Sequence, residues 1–320
     1  MEKMKLLFFG AGVLGSLYAA RLHEAGNEVT LVARGSRLED IKKHGIVLEQ
    51  FDNGERTATK VPVVDHVPPE EYFDLCVVLV QKNQLESALS ALKVNPHIPT
   101  FLFMNNTAEG PQDMINAVGR ERVMMGHANA GGERVGHVIH YMISQEMTLG
   151  ELDGSKSERL KRIAHTFKEA GFAVEISKNV DAWKRYHVAL AVPFAFAMYM
   201  NESCNYRLSE NRKDVKLCMA GIREALKVLR TLGYPVEPSK LRFVFAFPDF
   251  LLVPLFQRVL KSQIADIGMA RHLKNAREEM EQLSKEFLVL VEKAGIETPV
   301  LDELHNCSDM QVASEALSGA

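Results

Sequence analysis

Cysteine is scarce in this chain of 320 residues, and no two cysteines are spaced as a metal-binding or redox pair. The four thiols lie at positions 76, 204, 218 and 307, so the sequence contains no CxxC motif. Few, widely separated cysteines are typical of proteins from a reducing compartment. The sequence therefore excludes a disulfide scaffold and predicts a cytoplasmic protein. His127, His137 and His140 lack a plausibly spaced third ligand, so no metal site is expected.

The chain also lacks an excess of charge of either sign. It has 38 Lys and Arg residues against 41 Asp and Glu residues, for a formal net charge of −3. Nucleic-acid-binding proteins usually carry a strongly basic face. We therefore expect no nucleic-acid partner, and any anionic ligand must be held by a local cluster of donors.

Long uninterrupted hydrophobic runs are absent as well. The apolar run near the N-terminus is short and has no small-residue cleavage site after it, so a signal peptide is not expected. The most apolar later stretch, Phe243 to Leu260, is interrupted by Pro248, Asp249, Pro254 and Arg258. A membrane span is therefore not expected. We predict a buried helix with proline breaks instead.

What the sequence does contain is an alternation of short apolar runs with helical patterns. KLLFF, EVTLVA, LCVVLV and TFLFM are strand-like, and helical periodicity follows most of them. This rhythm predicts an α/β domain with a doubly wound sheet. Two further strands, 135–141 and 146–150, follow without an intervening helix, and Gly131-Gly132 is interpreted as a loop. Beyond Lys178 the pattern is helical, including one long helix at about 262–294. We therefore predict domains at 1–178 and 179–320.

The first strand is followed at once by a glycine-rich turn. Gly10, Gly12 and Gly15 fit GxGxxG, and the pattern opens a helix after an apolar strand, the context that strengthens such a match. Gly10 would form the tight turn, Gly12 would admit a pyrophosphate, and Gly15 would let helix and strand pack closely. Val13 and Leu14 begin the helix, whose free N–H groups suit phosphates. The alternative is a tight turn with no ligand.

The end of the second strand bears on the choice of cofactor. NAD-binding proteins usually carry a carboxylate there for the ribose hydroxyls, whereas this strand ends in Arg34, Ser36 and Arg37, and Glu28 lies at its start. Two arginines suit a 2′-phosphate because guanidinium binds phosphate in a bidentate manner. The sequence therefore favours NADPH. A solvated pair of surface arginines is the alternative.

Several segments together resemble the ketopantoate reductase (2-dehydropantoate 2-reductase) family. They are GAGVLGSLYAARLHEAGNEVTLVARG, VLVQKNQ, FLFMNNTAEG, GHVIHYMISQEMTLGELDG, GFAVEISKNVDAWKRY and GIETPVLDEL. The resemblance implies a Rossmann domain followed by an all-helical domain similar to that of 6-phosphogluconate dehydrogenase, with the active site in the cleft between them. It implies NADPH-dependent reduction of a small 2-keto acid to a 2-hydroxy acid. The helical domain is also where a homodimer would form.

The resemblance carries over to individual residues near the cofactor. Asn106 corresponds to the family's asparagine at the end of a strand, with Asn105 as a near rival, although Thr107 replaces the glycine that follows it in the family. Gln84 matches the family, whereas Gln81 stands at a family lysine position with a lysine beside it. An Asx turn that caps the next helix is the alternative for the asparagines.

The family's catalytic lysine is harder to locate. Its pattern is Trp-x-Lys followed by asparagines four and eight residues on. Strict spacing from Trp183 gives Arg185, and a slip of one residue gives Lys184; neither register recovers an asparagine. The two differ by about 100° on a helix, so only one can face the cleft. Lysine can donate a proton, whereas arginine suits a carboxylate anchor.

The resemblance also implies a carboxylate on the last long helix, and Glu279 has the family's spacing of sixteen residues before Gly295. A solvated charged face is the alternative for this helix. Two other functions stay open: a non-catalytic NADP-binding protein on the same scaffold, and a dehydrogenase of another hydroxy acid. The direction in which Lys184 and Arg185 point would separate the first of these from a reductase.

Overall fold

The computed structural model describes residues 3–143, 146–244 and 247–307, without the side chains of residues 243, 244 and 264. The chain divides into two compact units. Unit 1 comprises the residues up to 106 together with 111–181, and unit 2 comprises 107–110 and the residues from 182 onward. This division lies three residues beyond the predicted domain boundary at 178, and it assigns a four-residue segment of the first half of the chain to the second unit.

Unit 1 contains the strands. In chain order they are β1 (Lys5–Phe9), β2 (Glu28–Val32), β3 (Ile46–Gln50), β4 (Arg56–Thr59), β5 (Val63–Val64), β6 (Leu75–Val78), β7 (Phe101–Phe103), β8 (Val123–His127), β9 (Ala130–Val135), β10 (Val138–Ile143), β11 (Met147–Glu151) and β12 (Val174–Ile176). Among the described residues, eight of them form one sheet in the order β12-β11-β8-β7-β6-β1-β2-β5. All its neighbouring strands are parallel except β8 and β11.

Helices cover the faces of this sheet. They are α1 (Val13–Glu24), α2 (Gly35–His44), α3 (Leu85–Leu92), α4 (Gln112–Val118) and α5 (Glu158–Glu169). β1, β6 and β7 are apolar along almost their whole length because both faces of the sheet are buried: one face packs with α1 and α5, the other with α3 and α4. The predicted α/β fold with an N-terminal Rossmann-type sheet is confirmed.

A second, four-stranded sheet packs against α1, in the order β4-β3-β10-β9. Two predictions for this region were wrong. The stretch 135–141, predicted as one strand, contains the turn between β9 and β10 at Gly136 and His137. Gly131 and Gly132 lie in β9 and not in a loop. A Cβ at Gly132 would come within 2.1 Å of the carbonyl oxygen of His140 on the paired strand. Glycine therefore permits the close pairing here.

Unit 2 is helical. Its helices are α6 (Val180–Tyr199), which begins two residues before the division, α7 (Asn205–Glu210), α8 (Arg212–Thr231), α9 (Leu241–Val244), α10 (Asp249–Leu260), α11 (Gln263–Ala265), α12 (Arg271–Lys274) and α13 (Arg277–Ala294). Residues 299–307 are helical as well. The apolar faces of α6, α8 and α13 form the centre of the core. In the part of the chain that the structure describes, no helix is long and apolar enough to span a bilayer.

Two helix predictions in unit 2 need correction. The single helix expected at 262–294 is divided, because Asp266–Ala270 forms a π-helical turn and the chain leaves the helix at Asn275 and Ala276 before α13 begins. The stretch 243–260 is not a buried helix throughout: within α10, Leu252, Val253 and Leu260 are buried, whereas Phe250 and Leu255 are 69% and 58% exposed. Pro248 is the N-cap of α10, and Pro254, inside the helix, cannot donate a backbone hydrogen bond. One face of α10 is exposed.

Candidate active site

The turn between β1 and α1 is shaped by its three glycines. Gly10 has a φ of +111°, and a Cβ there would come within 2.2 Å of the carbonyl oxygen of Leu79, at the end of the neighbouring strand β6. A Cβ at Gly15 would lie 1.8 Å from the carbonyl oxygen of Gly10. At Gly12, by contrast, a Cβ meets no described atom within 4 Å. Gly10 and Gly15 therefore make room for the protein itself, and Gly12 leaves open space beside the loop.

Helix α1 begins next to that open space. Gly12 is its N-cap and is exposed, and Val13 and Leu14 are its first residues. The N–H groups of a first helical turn have no acceptor within the helix, and the helix dipole makes this end partially positive. The side chains of Val13 and Leu14 pack against the core. Their contribution to a ligand is therefore their backbone, which suits the oxygens of a pyrophosphate.

The three polar residues after β2 take two different positions. Arg34 and Ser36 are exposed at the start of α2, and the Arg34 guanidinium carbon lies 6.0 Å from the centre of the Phe9 ring. Arg37 is 8% exposed, so it does not form the solvated surface pair with Arg34 that was the alternative to a phosphate site. Its Nε donates to the carbonyl of Ala11 at 3.0 Å and its Nη2 donates to the hydroxyl of Ser16 at 2.9 Å. Arg37 thus supports the glycine loop through Ala11 and the start of α1 through Ser16.

Arg37 keeps two properties that matter for an anion. Its Nη1 is buried and has no hydrogen-bond partner among the described residues. Burial lowers the pKa of its guanidinium to about 10, helped by the positive charge of Arg134 and opposed by Asp40. Arg37 therefore stays protonated at neutral pH, and the loop that it supports has a positive charge directly behind it.

The turn after β6 contains the predicted glutamines. Gln81 and Gln84 cap the short 3₁₀ turn Lys82–Gln84 reciprocally, because each side chain accepts a hydrogen bond from the backbone of the other residue. Lys82 is 8% exposed. The two glutamines therefore shape the turn that follows the strand beside β1, which is a structural role that their sequence match alone does not reveal.

Asn106 lies at the last position of unit 1 before the chain enters unit 2. It is half-buried, and its carbonyl accepts a hydrogen bond from the side chain of the buried Asn105 at 2.9 Å. The residues after it, Thr107 to Gly110, belong to unit 2.

Glu286 and Arg185 hold that segment from unit 2. A carboxylate oxygen of Glu286 accepts hydrogen bonds from the backbone N–H groups of Ala108 and Glu109, at 2.8 and 3.3 Å, and from the hydroxyl of Thr107 at 3.3 Å. The guanidinium of Arg185 donates to the carbonyls of Ala108 and Glu109, the latter at 2.8 Å. Glu286 is 2% exposed and Arg185 6%. One residue thus binds the N–H groups of the segment and the other binds its carbonyls.

Lys184 and Arg185 are separated as the helix geometry requires. Arg185 contacts the segment after Asn106, and its guanidinium also lies 4.6 Å from the centre of the Tyr234 ring. Lys184, one position earlier on α6, is 1% exposed and interacts electrostatically with His187. Residues three apart on a helix share a face. Lys184 and Arg185 therefore belong to two different environments.

A cluster of titratable groups surrounds His187. The half-buried imidazole of His187 stacks on Trp183, with ring centres 5.5 Å apart and planes inclined by 8°. Burial lowers the pKa of His187 to about 4, helped by the positive charges of Lys184 and His272. His272 on α12 lies 4.0 Å from the buried carboxylate of Glu279 on α13. We call Lys184, His187, His272 and Glu279 the Lys184 cluster.

Sequence reasoning missed three residues of unit 2: Glu286, His187 and His272. Glu286 binds a segment that lies 177–179 positions away in the sequence, and no local sequence pattern predicts such a contact. His187 had a usable signal, since it follows Lys184 by three residues on a predicted helix. His272 had none, because its place beside Glu279 depends on the interruption between α12 and α13, where one continuous helix was predicted.

Comparison with known proteins connects this arrangement to one family. Residues 6–154 match the family described as ketopantoate reductase PanE/ApbA. A 2-dehydropantoate 2-reductase of Aquifex aeolicus is 25% identical over 92% of this chain and 93% of its own length. The chain is therefore similar to the ketopantoate reductase family, and the family match lies in residues 6–154. This similarity supports an oxidoreductase with a Rossmann-like domain, as the resemblance implied.

Solved structures have the same fold over nearly the whole chain. A PanE/ApbA family ketopantoate reductase from Ralstonia eutropha superposes with a TM-score of 0.75 at 22% identity, covering 96% of this chain and 99% of that one. D-mandelate dehydrogenase, in a ternary structure with NADH and anilino(oxo)acetate, superposes with a TM-score of 0.78 at 19% identity, covering 97% and 99%. The ketopantoate reductase fold thus extends into the helical unit, beyond the residues that match the family.

The glycine loop fits the dinucleotide that this family implies. The test lies in Gly12, which borders open space where Gly10 and Gly15 meet protein atoms. Open space at Gly12 is what the approach of a pyrophosphate to the backbone requires. Gly12, Val13 and Leu14 would present their backbone to the pyrophosphate, with Arg37 behind the loop and Arg34 and Ser36 exposed beyond β2.

Proposed function

We propose that the protein is an NADPH-dependent reductase of a small 2-keto acid, with 2-ketopantoate as the first candidate substrate. When bound, the reduced nicotinamide supplies a hydride to the ketone carbon, and the ketone oxygen must then gain a proton. Unit 1 contributes the backbone that binds the dinucleotide, and unit 2 contributes the groups that handle the proton. The observation that carries the proposal is the separation of Lys184 from Arg185.

Lys184 is the proton donor in this proposal. An ammonium next to the ketone oxygen stabilises the negative charge that develops there and transfers a proton to it. Lysine is suited to this task because its pKa responds to burial, whereas a guanidinium stays protonated. Lys184 is almost fully buried, and Arg185 is bonded to the carbonyls of residues 108 and 109. Arg185 and Glu286 are positioning residues, and the segment that they hold follows Asn106.

Glu279 completes the proton-handling groups. The family resemblance gives it the task of orienting the lysine and binding substrate hydroxyls, and it is 3% exposed. Its contact at 4.0 Å with His272 ties it to the same cluster as Lys184. Glu279 would therefore place a buried carboxyl group beside the cluster.

The preference for NADPH rests on Arg34 and Ser36. Both are exposed at the start of α2, directly after β2, where the adenosine ribose of a dinucleotide binds in this kind of fold. Arg37, assigned to the same phosphate from the sequence, supports the loop through Ala11 and Ser16. Arg34 should therefore discriminate between NADPH and NADH, and Arg37 should support the binding of both.

A second candidate is a 2-keto acid with a larger apolar group. The family's asparagine positions hold Ala189 and Pro193 on one register and Val188 and Val192 on the other, so this helix offers no amide to a polar substrate there. The neighbouring structure of D-mandelate dehydrogenase, which holds anilino(oxo)acetate, suggests an aromatic 2-keto acid for comparison. This candidate differs from the first in substrate and not in chemistry.

The proposed function is tested with a panel of 2-keto acids, in which oxidation of NADPH and NADH is followed optically. The panel contains 2-ketopantoate, a linear aliphatic 2-keto acid and a phenyl-substituted 2-keto acid. We expect turnover with at least one of them and a preference for NADPH. The Gly12→Val variant, which should not bind the nucleotide, is the negative control. If NADPH binds with micromolar affinity but no acid is reduced, the protein is a non-catalytic NADP-binding protein and the proposal is wrong.

For the assembly, we propose a homodimer through the helical unit. Leu251, Leu255 and Val259 follow one another at intervals of four on α10, and each is at least 43% exposed. Phe247 and Phe250, just before and within α10, extend this apolar surface. Such a stripe is costly in water and is typical of an interface. Sedimentation of the wild type and of Leu255→Asp tests it: a dimer should become a monomer, and a wild-type monomer would contradict the proposal.

A further inference from the structure

Unit 1 contains a cavity of about 450 Å³ at the edge of its large sheet that lies opposite the glycine loop. Its lining includes Met4, just before β1, Asp74, just before β6, and Thr100, just before β7. These three strands are parallel, so their first residues share one edge of the sheet, whereas the glycine loop follows the last residue of β1. Small-molecule sites commonly have a volume of this size. The cavity is therefore separate from the turn assigned to the dinucleotide.

The lining of the cavity combines buried apolar side chains with a hydroxyl. Met4 and Ile163 are apolar and buried. Thr100 is 4% exposed, and within the described residues its hydroxyl forms no hydrogen bond. Nearly buried polar side chains normally have a hydrogen-bond partner. The hydroxyl of Thr100 can therefore bind a molecule that enters the cavity.

Two arginines of α5 also line the cavity, and one of them shows how such a side chain binds a carboxylate. Nε and Nη2 of Arg159 donate to the two carboxylate oxygens of Glu151, at 2.7 and 2.6 Å. These two nitrogens form one edge of the guanidinium, and this edge fits a carboxylate in a bidentate manner. Because Glu151 is buried beside it, this edge of Arg159 is bound by the protein itself.

Arg162 lies three residues later on the same face of α5. Its Nη1 contacts a carboxylate oxygen of Asp74 at 3.2 Å, whereas its Nε and Nη2 have no acceptor among the described residues. Asp74 is itself held by the backbone N–H of Lys5 at 2.8 Å and by the hydroxyl of Tyr72 at 3.3 Å. Arg162 is thus oriented through one nitrogen and keeps its bidentate edge for another anion.

The acidic residues of the lining do not exclude an anion. The charge of Asp74 is balanced by Arg162. Glu158 pairs with Lys161 at 2.6 Å, and its side chain is 89% exposed, so it lies at the rim of the cavity. Tyr72 is 54% exposed and adds an aromatic ring to the lining, which suits the apolar part of a ligand.

We propose that this cavity binds a small carboxylate with an apolar body. Nε and Nη2 of Arg162 bind the carboxylate, and the hydroxyl of Thr100 adds a hydrogen bond to the ligand. The apolar body packs on Met4 and Ile163. The proposal goes beyond the proposed function, because it concerns a second site within unit 1 that neither the dinucleotide nor the proton chemistry uses.

The test uses the whole protein, with phenylacetate as the probe and its neutral amide, phenylacetamide, as the matched comparison. NMR of isotope-labelled Met and Ile methyl groups observes Met4 and Ile163 in the lining of the cavity. Met125, buried on the other face of the sheet, is the control signal. We expect saturable shifts of the Met4 and Ile163 signals. The dissociation constant of the acid should be at least about tenfold lower than that of the amide, because only the acid can bind the guanidinium edge as an anion.

Substitutions test the two polar contacts separately. Arg162→Gln should weaken the binding of phenylacetate by at least about tenfold, and Arg162→Lys, which keeps a positive charge beside Asp74 but not the edge, should recover little of this loss. Thr100→Val, which replaces the hydroxyl with a methyl group, should weaken binding by about threefold. Lys161→Gln, at an exposed lysine of the same helix, removes a nearby positive charge and is the control. It should leave the affinity unchanged.

Four outcomes would overturn the proposal. Met4 and Ile163 signals that do not shift in the wild type would show that the cavity binds no such molecule. Equal affinities for acid and amide, or a wild-type affinity in Arg162→Gln, would show that the carboxylate is not recognised. Inorganic phosphate that binds as tightly as phenylacetate would show that the apolar body contributes nothing. Displacement of phenylacetate by NADPH would place the probe at the glycine loop instead.

Discussion

The glycine loop of unit 1 and the Lys184 cluster of unit 2 build their sites in opposite ways. The loop uses backbone from six consecutive residues, Gly10 to Gly15, and the side chain that supports it, Arg37, stands behind it. The cluster uses side chains from three helices, between positions 184 and 279. A site made of backbone tolerates many side-chain changes provided that the glycines stay. A site made of side chains depends on how the helices pack and end.

The largest expected effect would sharpen the difference between glycines within the loop. Gly12→Val should abolish nucleotide binding while the protein stays folded, because its side chain enters open space. Gly15→Val should lower the unfolding free energy by roughly 3 kcal/mol or more, because its Cβ would overlap the carbonyl oxygen of Gly10. Calorimetry for binding and denaturant unfolding for stability check both. Retained binding by folded Gly12→Val would refute the assignment of the loop.

A second prediction concerns the hydrogen bonds by which Glu286 holds the segment 107–110 within unit 2. Glu286→Ala should lower the unfolding free energy by roughly 2–4 kcal/mol, since the buried N–H of Ala108, the part-buried N–H of Glu109 and the hydroxyl of Thr107 lose their acceptor. Glu286→Gln keeps an acceptor oxygen and should recover much of this loss. Glu292→Ala, at an exposed glutamate on the same helix, is the control. Equal stabilities for the two alanine variants would show that the carboxylate does not hold the segment.

A third prediction uses the lowered pKa of His187. Its folded pKa of about 4 lies below the ordinary value of about 6.5, so the unfolded chain takes up the proton first. The resulting stabilisation is complete above pH 6.5 and is lost as the pH falls towards 4. The wild type should therefore lose on the order of 2 kcal/mol more than His187→Gln between pH 7 and pH 4. Urea unfolding at several pH values measures the difference; parallel pH curves would contradict it.

The smallest effect separates the two arginines after β2. Arg34→Ala should reduce the preference for NADPH over NADH by about tenfold, or about 1.4 kcal/mol, because only NADPH carries the 2′-phosphate. Arg37→Ala should weaken the binding of both cofactors, since it removes support from the loop. Titration with each cofactor separates these effects. If Arg37→Ala weakened the binding of NADPH and not that of NADH, both arginines would bind the 2′-phosphate, as the sequence predicted.

The same contrast explains what the sequence could predict. The fold class and the glycine loop follow from local patterns, because a strand, a turn and a helix occupy consecutive residues. The position of Arg37 could not be read in this way: α2 begins at Gly35, and packing against α1 turns its third residue inward. Glu286 and His272 depend on contacts between distant segments, and no periodicity within one helix encodes them. The break at Asn275 and Ala276 was missed because the hydrophobic pattern continues through it.

Spacing and residue chemistry give different predictions for Lys184 and Arg185. Sequence spacing favoured Arg185, and chemistry favoured Lys184. The structure gives Arg185 two carbonyls to bind and gives Lys184 a titratable neighbour. A side chain that can lose a proton thus lies among groups that can exchange one. Spacing alone does not decide between the two residues, because a single residue turns a helix by about 100°.

The most direct test of this account measures kcat and the NADPH dissociation constant of Lys184→Met on the keto acid that the wild type reduces. In the proposed function the lysine handles the proton and the glycine loop of the other unit binds the cofactor, so kcat should fall by at least about a hundredfold with NADPH affinity unchanged. Arg185→Lys, which keeps a positive charge at the neighbouring position, is the comparison and should retain more activity. A wild-type kcat in Lys184→Met would contradict the assignment of the proton donor. So would a loss of kcat that occurs in Arg185→Lys and not in Lys184→Met.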